Sequence, residues 1–256
     1  MKKKYIFILV LVLLSNLFAQ DLVTDRPDQT ESSSTVPKNS LQIESGILLG
    51  EVEDNSIINK QFLFPSTLFR YGLTSGLEIR VVNQFEKSEI ESIGNEIDIN
   101  KNKISTSGFS DLEVGAKVQL FQREDVNAEV AFLSHLVIPT GSSNFSNEKL
   151  ASINKLCVSH TLSETVDLGY NIGYDYFSKE NSAYTYSLAT AVSVNNEVGL
   201  YIETYGEIVN KNHISNFDGG VTYLLKRNLQ FDFSFGTGIN HQMNYVAFGV
   251  SWNSSL

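Results

Sequence analysis

One cysteine, Cys157, stands in 256 residues, which excludes an intramolecular disulfide and a cysteine-rich metal site. Basic residues are scarce: 19 Lys and Arg face 29 Asp and Glu. Three of the 19 are Lys2, Lys3 and Lys4, so a chain without them holds 16 bases and a formal charge of −13. A surface of that sign repels phosphate backbones, and nucleic acid is not an expected partner. The four histidines, His135, His160, His213 and His241, share no ligand spacing, and Asp25 with Asp28 fits no calcium loop, so no metal is expected. Neither G-x-S-x-G nor a phosphate loop ending GK[ST] occurs, and no cofactor is expected.

Long apolar runs are absent too, apart from one. MKKKYIFILVLVLLSNLFAQ opens the chain with three lysines, an apolar run from Tyr5 to Leu14 and a small residue, Ala19. That is the layout of a secretory signal peptide, residues 1–20, cleaved near Gln20; the run is too short to span a bilayer as a helix. No later segment approaches the roughly 18 apolar residues that a membrane helix needs.

What is there instead is a period of two. GLEIRVVNQFE puts Leu77, Ile79, Val81 and Phe85 on one side and Glu78, Arg80, Gln84 and Glu86 on the other. VDLGYNIGYDYF separates Val166, Leu168, Tyr170 and Ile172 from Asp167, Gly169, Asn171 and Gly173. Strict alternation of this kind is the mark of strands with two unlike faces. It predicts twelve strands, at about 41–49, 61–71, 76–86, 109–121, 127–138, 151–162, 165–177, 183–194, 198–208, 215–225, 228–238 and 244–252. Many run past the five or six residues usual in soluble proteins and match the nine to eleven that cross a bilayer at a tilt.

The connections alternate in length. The intervals 50–60, 87–108 and 139–150 are long; 73–75, 122–126 and 163–164 are short. Outer-membrane barrels have short periplasmic turns and longer external loops. An open strand edge in hydrocarbon leaves backbone groups unpaired at several kcal/mol each, so the expected fold is all-β: a transmembrane antiparallel up-and-down barrel over 41–256. Aromatic residues such as Tyr71, Phe121, Tyr174, Tyr245 and Trp252 lie toward strand ends, where interface girdles form. Twelve tilted strands enclose roughly 24 Å between backbones, leaving on the order of 10 Å once side chains are counted.

The face opposite the apolar one is rich in carboxylates, Glu78, Glu86, Asp111, Glu113 and Glu203 among them, and such a lumen favours cations. Before the barrel stands a polar, proline-containing segment, 21–40, with TDRPDQTES at its head. Its prolines make it a poor strand. It is a candidate plug of the periplasmic mouth, with Arg26 pairing lumen carboxylates and Asp25 or Asp28 meeting Arg70, Arg80 or Lys117. The candidate lumen and plug contacts are therefore Asp25, Arg26, Asp28, Arg70, Glu78, Arg80, Asp111, Glu113 and Lys117, with no catalytic residue among them.

Several stretches together, TDRPDQTESSSTVPKNSLQIESG, PSTLFRYGLT with LEIR behind it, GFSDLEVGAKVQLF and HLVIPTG, resemble the outer-membrane "transporter" family that also carries the label MetA-pathway of phenol degradation. The resemblance implies a barrel with a transport role, for aromatic or other apolar small molecules, and supplies no catalytic set to carry over. Many outer-membrane barrels end on an aromatic that the barrel-assembly machinery reads; here Trp252 closes the last strand and NSSL follows. The expected partners are outer-membrane lipid, a small solute and that machinery; the expected location is the outer membrane of a Gram-negative cell. Passive passage of small solutes is the leading expectation. Two others stay open: a blocked barrel that uses the charged 87–108 loop as an interaction surface, and an outer-membrane lipid hydrolase.

Overall fold

The computed structural model describes residues 22–92, 103–123, 127–178 and 181–255; the expected leader lies outside them, as does the middle of the 87–108 connection. Thirteen strands follow one another: β1 Leu41–Asp54, β2 Ile57–Thr74, β3 Leu77–Ser92, β4 Lys103–Phe109, β5 Leu112–Arg123, β6 Ala128–Ile138, β7 Ala151–Thr161, β8 Val166–Tyr176, β9 Ser182–Ser193, β10 Val198–Val209, β11 Asn212–Lys226, β12 Leu229–Gly238 and β13 Gln242–Asn253. Neighbours in sequence pair antiparallel except β4 with β5, and β13 returns to β1, from Gln42 opposite Asn253 to Glu53 opposite Gln242. β4 and β5 share one position, both lying against β3. The result is a closed cylinder of twelve staves, and no helix among the described residues is long and apolar enough to cross a membrane.

The cylinder is inside out relative to a soluble protein. Arg70 and Lys117 are 0% exposed, whereas Ile172 is 65% and Ile202 59% exposed. Parity explains this: on β3, Glu78 and Arg80 turn inward while Leu77 and Ile79 turn outward. Only water or partners inside the barrel can solvate the first set, and only acyl chains suit the second.

Glycines let bulky inward side chains lie flat along the wall. A Cβ on Gly236 would sit 2.1 Å from the Tyr245 ring, and one on Gly249 would sit 2.3 Å from Nε of Arg26. Tyr245, expected in an interface girdle, is thus an inward residue, donating its hydroxyl to Asp218 at 2.5 Å.

Two expected loops are mostly strand. Between 50 and 60 the chain runs straight on as β1 and β2, joined by Asn55 and Ser56 at φ 46° and 69°. Asn210 and Lys211, at φ 50° and 70°, do the same between β10 and β11. Two left-handed residues in succession are the two-residue hairpin whose twist matches its strands.

The extension of β1–β4 also marks where hydrocarbon ends. On the outer face, Phe62, Phe85 and Phe109 give way to Lys60, Lys87, Glu89, Glu91 and Lys103, linked by ion pairs of 2.6 to 3.5 Å. Phe85 and Phe109 meet edge to face at 5.2 Å just below that lattice. An aromatic ring followed within one turn of the strand by charge is what a membrane–water boundary selects.

The expected strand 109–121 breaks in two at Ser110 and Asp111. Phe85 faces Phe109 and Val82 faces Glu113, so four steps on one side match three on the other. The extra residue exchanges the faces: even-numbered residues point inward on β4 and odd-numbered ones on β5. Asp111 fixes the break by accepting the backbone N–H of Gly141 and of Asn147, each at 2.8 Å. That folds the 139–150 connection over the external mouth, with Ser142 and Phe145 beside Gly108.

Placing a charge on the outward face tests the orientation of the wall. Ile202→Arg, in the middle of β10, is expected to cost about 2–4 kcal/mol in lipid vesicles, read from reversible urea unfolding, while an exchange at an inward position of the same strand is not bound by that penalty.

Candidate functional site

Residues 22–40 lie inside the cylinder. They enter beside the chain's last strand, cross the lumen and return to β1 along the wall of β2 and β3. Lys38 bridges Gly72, and Asn39 N–H donates to the Gly72 carbonyl at 2.7 Å. Between those ends the segment bonds stave after stave. Gln29 N–H donates to Glu203 on β10 at 2.7 Å, Thr30 Oγ1 lies 2.7 Å from Ser187 Oγ on β9, and Glu31 N–H donates to Asn171 on β8 at 2.7 Å. Ser33 and Ser34 donate to Glu129 on β6 at 2.9 and 2.7 Å, and Val36 N–H to Glu78 on β3 at 2.8 Å.

The wall of β1, β2, β3 and β5 is the cationic pole of the site. Arg70 grips Glu78 with Nε at 3.0 Å and Nη2 at 3.1 Å, and reaches Glu44 at 2.9 Å and Asp25 at 3.2 Å. Arg80 meets Asp25 at 2.6 Å, Glu78 at 2.8 Å and Glu31 at 2.8 Å, and its Nε donates to His135 Nε2 at 3.0 Å. Lys117 bonds both oxygens of Asp25, at 3.0 and 2.9 Å. Around these three cations the wall itself supplies Glu44 and Glu78; Asp25 of the segment levels the count and Glu31 adds a fourth carboxylate. Buried charges are costly unless paired and hydrogen-bonded, so the segment completes the wall electrically as well as sterically.

The opposite wall, β10 to β13, is anionic. Arg26 lies across it, bonding Asp232 through Nη2 at 3.0 Å and Nε at 3.3 Å, with its guanidinium seated over the cross-strand pair Gly46 and Gly249. Asp28 behaves unlike Asp25: it faces Glu203 and Asp218, which carry its own sign. Asp111 holds the external 139–150 connection, and Glu113 bonds His135 Nδ1 at 2.9 Å; among the described residues neither bonds the segment. Glu31 and Glu44 escaped the sequence reading, and Glu129 and Asn171, which fall on the polar face, were not named as partners of the segment. Alternation does place Glu44 beside Gln42 and Glu129 beside Ala131 on inward faces, and that was the available signal.

The two aspartates titrate in opposite directions. Burial acts to raise the Asp25 carboxyl, but the charges of Arg70, Lys117 and Arg80 outweigh it and hold the group well below the usual carboxylate range. Burial raises Asp28 as well, and there Glu203 adds to it, with Asp218 and Asp25 behind, so Asp28 keeps its proton well above that range. A lowered group stabilises docking above the ordinary value of about 4 and stops doing so as pH falls through the lowered one. A raised group stabilises docking below the ordinary value and loses that share as pH rises through the raised one. Asp28 therefore loosens the segment on the alkaline side.

Two spaces flank the crossing. One, about 220 Å³, lies toward the external mouth between Gln29, Lys155, Asn171 and Glu207. The other, about 620 Å³, opens toward the chain's ends between Asp28, Thr30, Gln122, Glu129 and Thr161. No group of three or more His, Cys, Asp or Glu side chains among the described residues is placed to hold a metal ion.

A closed twelve-stave cylinder with polar lumen and apolar belt is a bacterial outer-membrane β-barrel. More narrowly, the profile of the family described as "Putative MetA-pathway of phenol degradation" matches residues 24–253, and the chain belongs to that family. Among solved structures, the COG4313 outer membrane channel from Pseudomonas putida F1 superposes with a TM-score of 0.65 at 13% identity, over 87% of this chain and 98% of that one. A KdgM porin in complex with oligogalacturonate gives 0.53 at 10% identity, over 82% and 98%. The Pseudomonas putida toluene transporter TodX gives 0.45 at 9% identity, over 88% and 91%. No curated protein matches the sequence.

The contrast between the aspartates is testable with a nitroxide at Val23, in a Cys157→Ser background. Asp25→Asn strips three cations of a shared partner at a cost of about 3–5 kcal/mol, and the label is expected to be mobile at every pH. In the otherwise unaltered protein its mobility rises with pH, and in Asp28→Asn that rise disappears.

Proposed function

We propose that this protein is a passive outer-membrane channel for small solutes, gated from the periplasmic side by residues 22–40. The observation that carries the reading is the crossing itself, which parts the lumen into an external space of about 220 Å³ and an inner one of about 620 Å³. A solute moving from one to the other must displace the segment. A hydrogen bond from an uncharged donor to a carboxylate is worth only about 1.5–3 kcal/mol net, so the stretch Ser32 to Ser34, tied to Glu129, yields before Asp25 and Glu31, which are held by ion pairs.

The leader sends the chain across the inner membrane, the assembly machinery inserts it by its last strand, and outer-membrane lipid covers the belt. The COG4313 channel and the KdgM porin, which share the fold, support a conducting role by analogy. The family label points toward aromatic solutes, and the carboxylates of the lumen toward cationic ones. No chemical step is assigned to the wall. His135 is held at both ring nitrogens by Arg80 and Glu113, which leaves it no free position as a base. A permanently closed barrel that serves as a surface platform is the rival, and the projection of β1–β4 beyond the aromatic ring favours it.

Deleting residues 22–36 behind an intact leader separates the two. Single-channel recording in planar bilayers is expected to show conductance rising to that of an unobstructed pore about 10 Å wide. Conductance unchanged by the deletion contradicts the gate; no solute flux in liposome swelling, with or without the segment, favours the platform.

A further inference from the structure

The wall just above the crossing carries charges that neither the segment nor the barrel uses. Lys155 on β7, Gly173 on β8, Thr185 on β9 and Glu207 on β10 are successive partners in one row across four staves. All four face the lumen. The row beneath holds Asn171, Ser187, Tyr205 and Asn216, which with Gln29 of the segment floor the external space of about 220 Å³.

Lys155 and Glu207 are unlike the other charges of the lumen. Arg26, Arg70, Arg80 and Lys117 each touch a carboxylate at 3.2 Å or less. Among the described residues, neither Lys155 nor Glu207 makes a hydrogen bond or a close ion pair. Asp175, one step toward the rim, feels both charges without neutralising either by contact. The polar atoms around them are unspent as well: Thr185 Oγ1, Asn216 Oδ1 and Asp175 Oδ1 are buried with no partner. Buried polar groups are ordinarily satisfied, so Thr185 and Asn216 in the cavity wall, with Asp175 a step beyond it, ask for a guest with donors and acceptors.

The spacing says which guest. Three strand intervals separate Lys155 from Glu207, about 14 Å along the wall, and both side chains reach inward from a concave surface. Gly173 keeps the space between them open, since a Cβ there would lie 2.4 Å from Thr185 Oγ1 and 3.0 Å from Lys155 Cγ. An amino acid held by a charge-assisted hydrogen bond at each end needs about 8 Å between ammonium nitrogen and carboxylate oxygen, a gap that two long side chains rooted about 14 Å apart can set.

We propose that this row is a binding subsite for small zwitterions of the amino-acid class, with the solute's carboxylate on Lys155 and its ammonium on Glu207. Thr185 and Asn216 supply the remaining hydrogen bonds. One cation against Glu207 and Asp175 leaves the subsite with a surplus negative charge, which ranks basic amino acids ahead of acidic ones. The inference rests on the lumen being a solute path, and it specifies what halts there before the segment moves.

Titration calorimetry on the full-length protein in detergent is the test, with L-lysine, L-alanine, L-glutamate, glucose and phenol as probes. Saturable binding is expected for L-lysine and L-alanine, weaker binding for L-glutamate, and none for glucose or phenol. Lys155→Met and Glu207→Gln should each weaken amino-acid binding by about tenfold, the loss of one charge-assisted contact. Circular dichroism verifies that each barrel is intact, and the exchanged pair Lys155→Glu with Glu207→Lys is expected to recover binding with the solute reversed. Absence of amino-acid binding by the intact protein overturns the proposal, as does binding that all the variants leave unchanged. Liposome swelling run beside it keeps the two readings apart: binding without flux sinks the channel and retains the subsite, whereas flux without binding does the reverse.

Discussion

Hydrocarbon offers no hydrogen bonds, and the rest of this structure follows from that. A strand that crosses it must pair on both edges, so β13 has to return to β1. Once the cylinder closes, its outer face within the hydrocarbon is obliged to be largely apolar, and the charged side chains at that depth are driven to the lumen. The lumen then inherits a problem that soluble cores seldom face: Arg70, Arg80 and Lys117 are fully buried together in one patch. Their charges cannot be left unpaired, and the wall alone lacks the anions to pair them. Asp25, bonded to all three, is the answer to a difficulty that the membrane created.

This division of the lumen organises its function. The cationic pole on β2, β3 and β5 anchors one flank of the segment through ion pairs, and the anionic pole on β10 to β12 holds the other through Arg26 and through the Gln29 N–H and Thr30 hydroxyl bonded to Glu203. Between the poles the segment is held by serine, threonine and asparagine contacts, individually weaker than an ion pair, and by Glu31 on Arg80. A strap pinned by charge at Asp25 and Glu31 and tied by hydrogen bonds elsewhere can move in part without leaving the barrel. Asp28, placed among like charges, is the member of the segment that pulls against docking.

Much of this architecture was legible in the amino-acid order, for a physical reason. A lipid-facing side tolerates no charge, so alternation in stretches such as VDLGYNIGYDY is sharper than in soluble strands, and twelve staves could be counted. EVEDNSIINK read as a loop because it lies above the hydrocarbon: there Glu51, Glu53 and Lys60 take the outward positions that apolar residues hold lower down. The break at Ser110 was hidden for a different reason, since one additional residue shifts the phase without disturbing the polarity of either half. In DRPDQ, two carboxylates flank one proline, and composition cannot tell which of them meets cations. That depends on the path of the chain across a lumen that no local pattern describes. Alternation along β7 turns Lys155 to the lumen, but its lack of a partner is a property of the assembled wall.

Cross-linking tests the central claim, that residues 22–40 lie threaded through a closed barrel. Thr30 Oγ1 and Ser187 Oγ lie 2.7 Å apart, so cysteines at these two positions, in a Cys157→Ser background, are close enough to join. In isolated outer membranes the account predicts a disulfide that forms under mild oxidation and shields both thiols from maleimide. Two thiols that stay separate and label freely from the periplasmic side would contradict it.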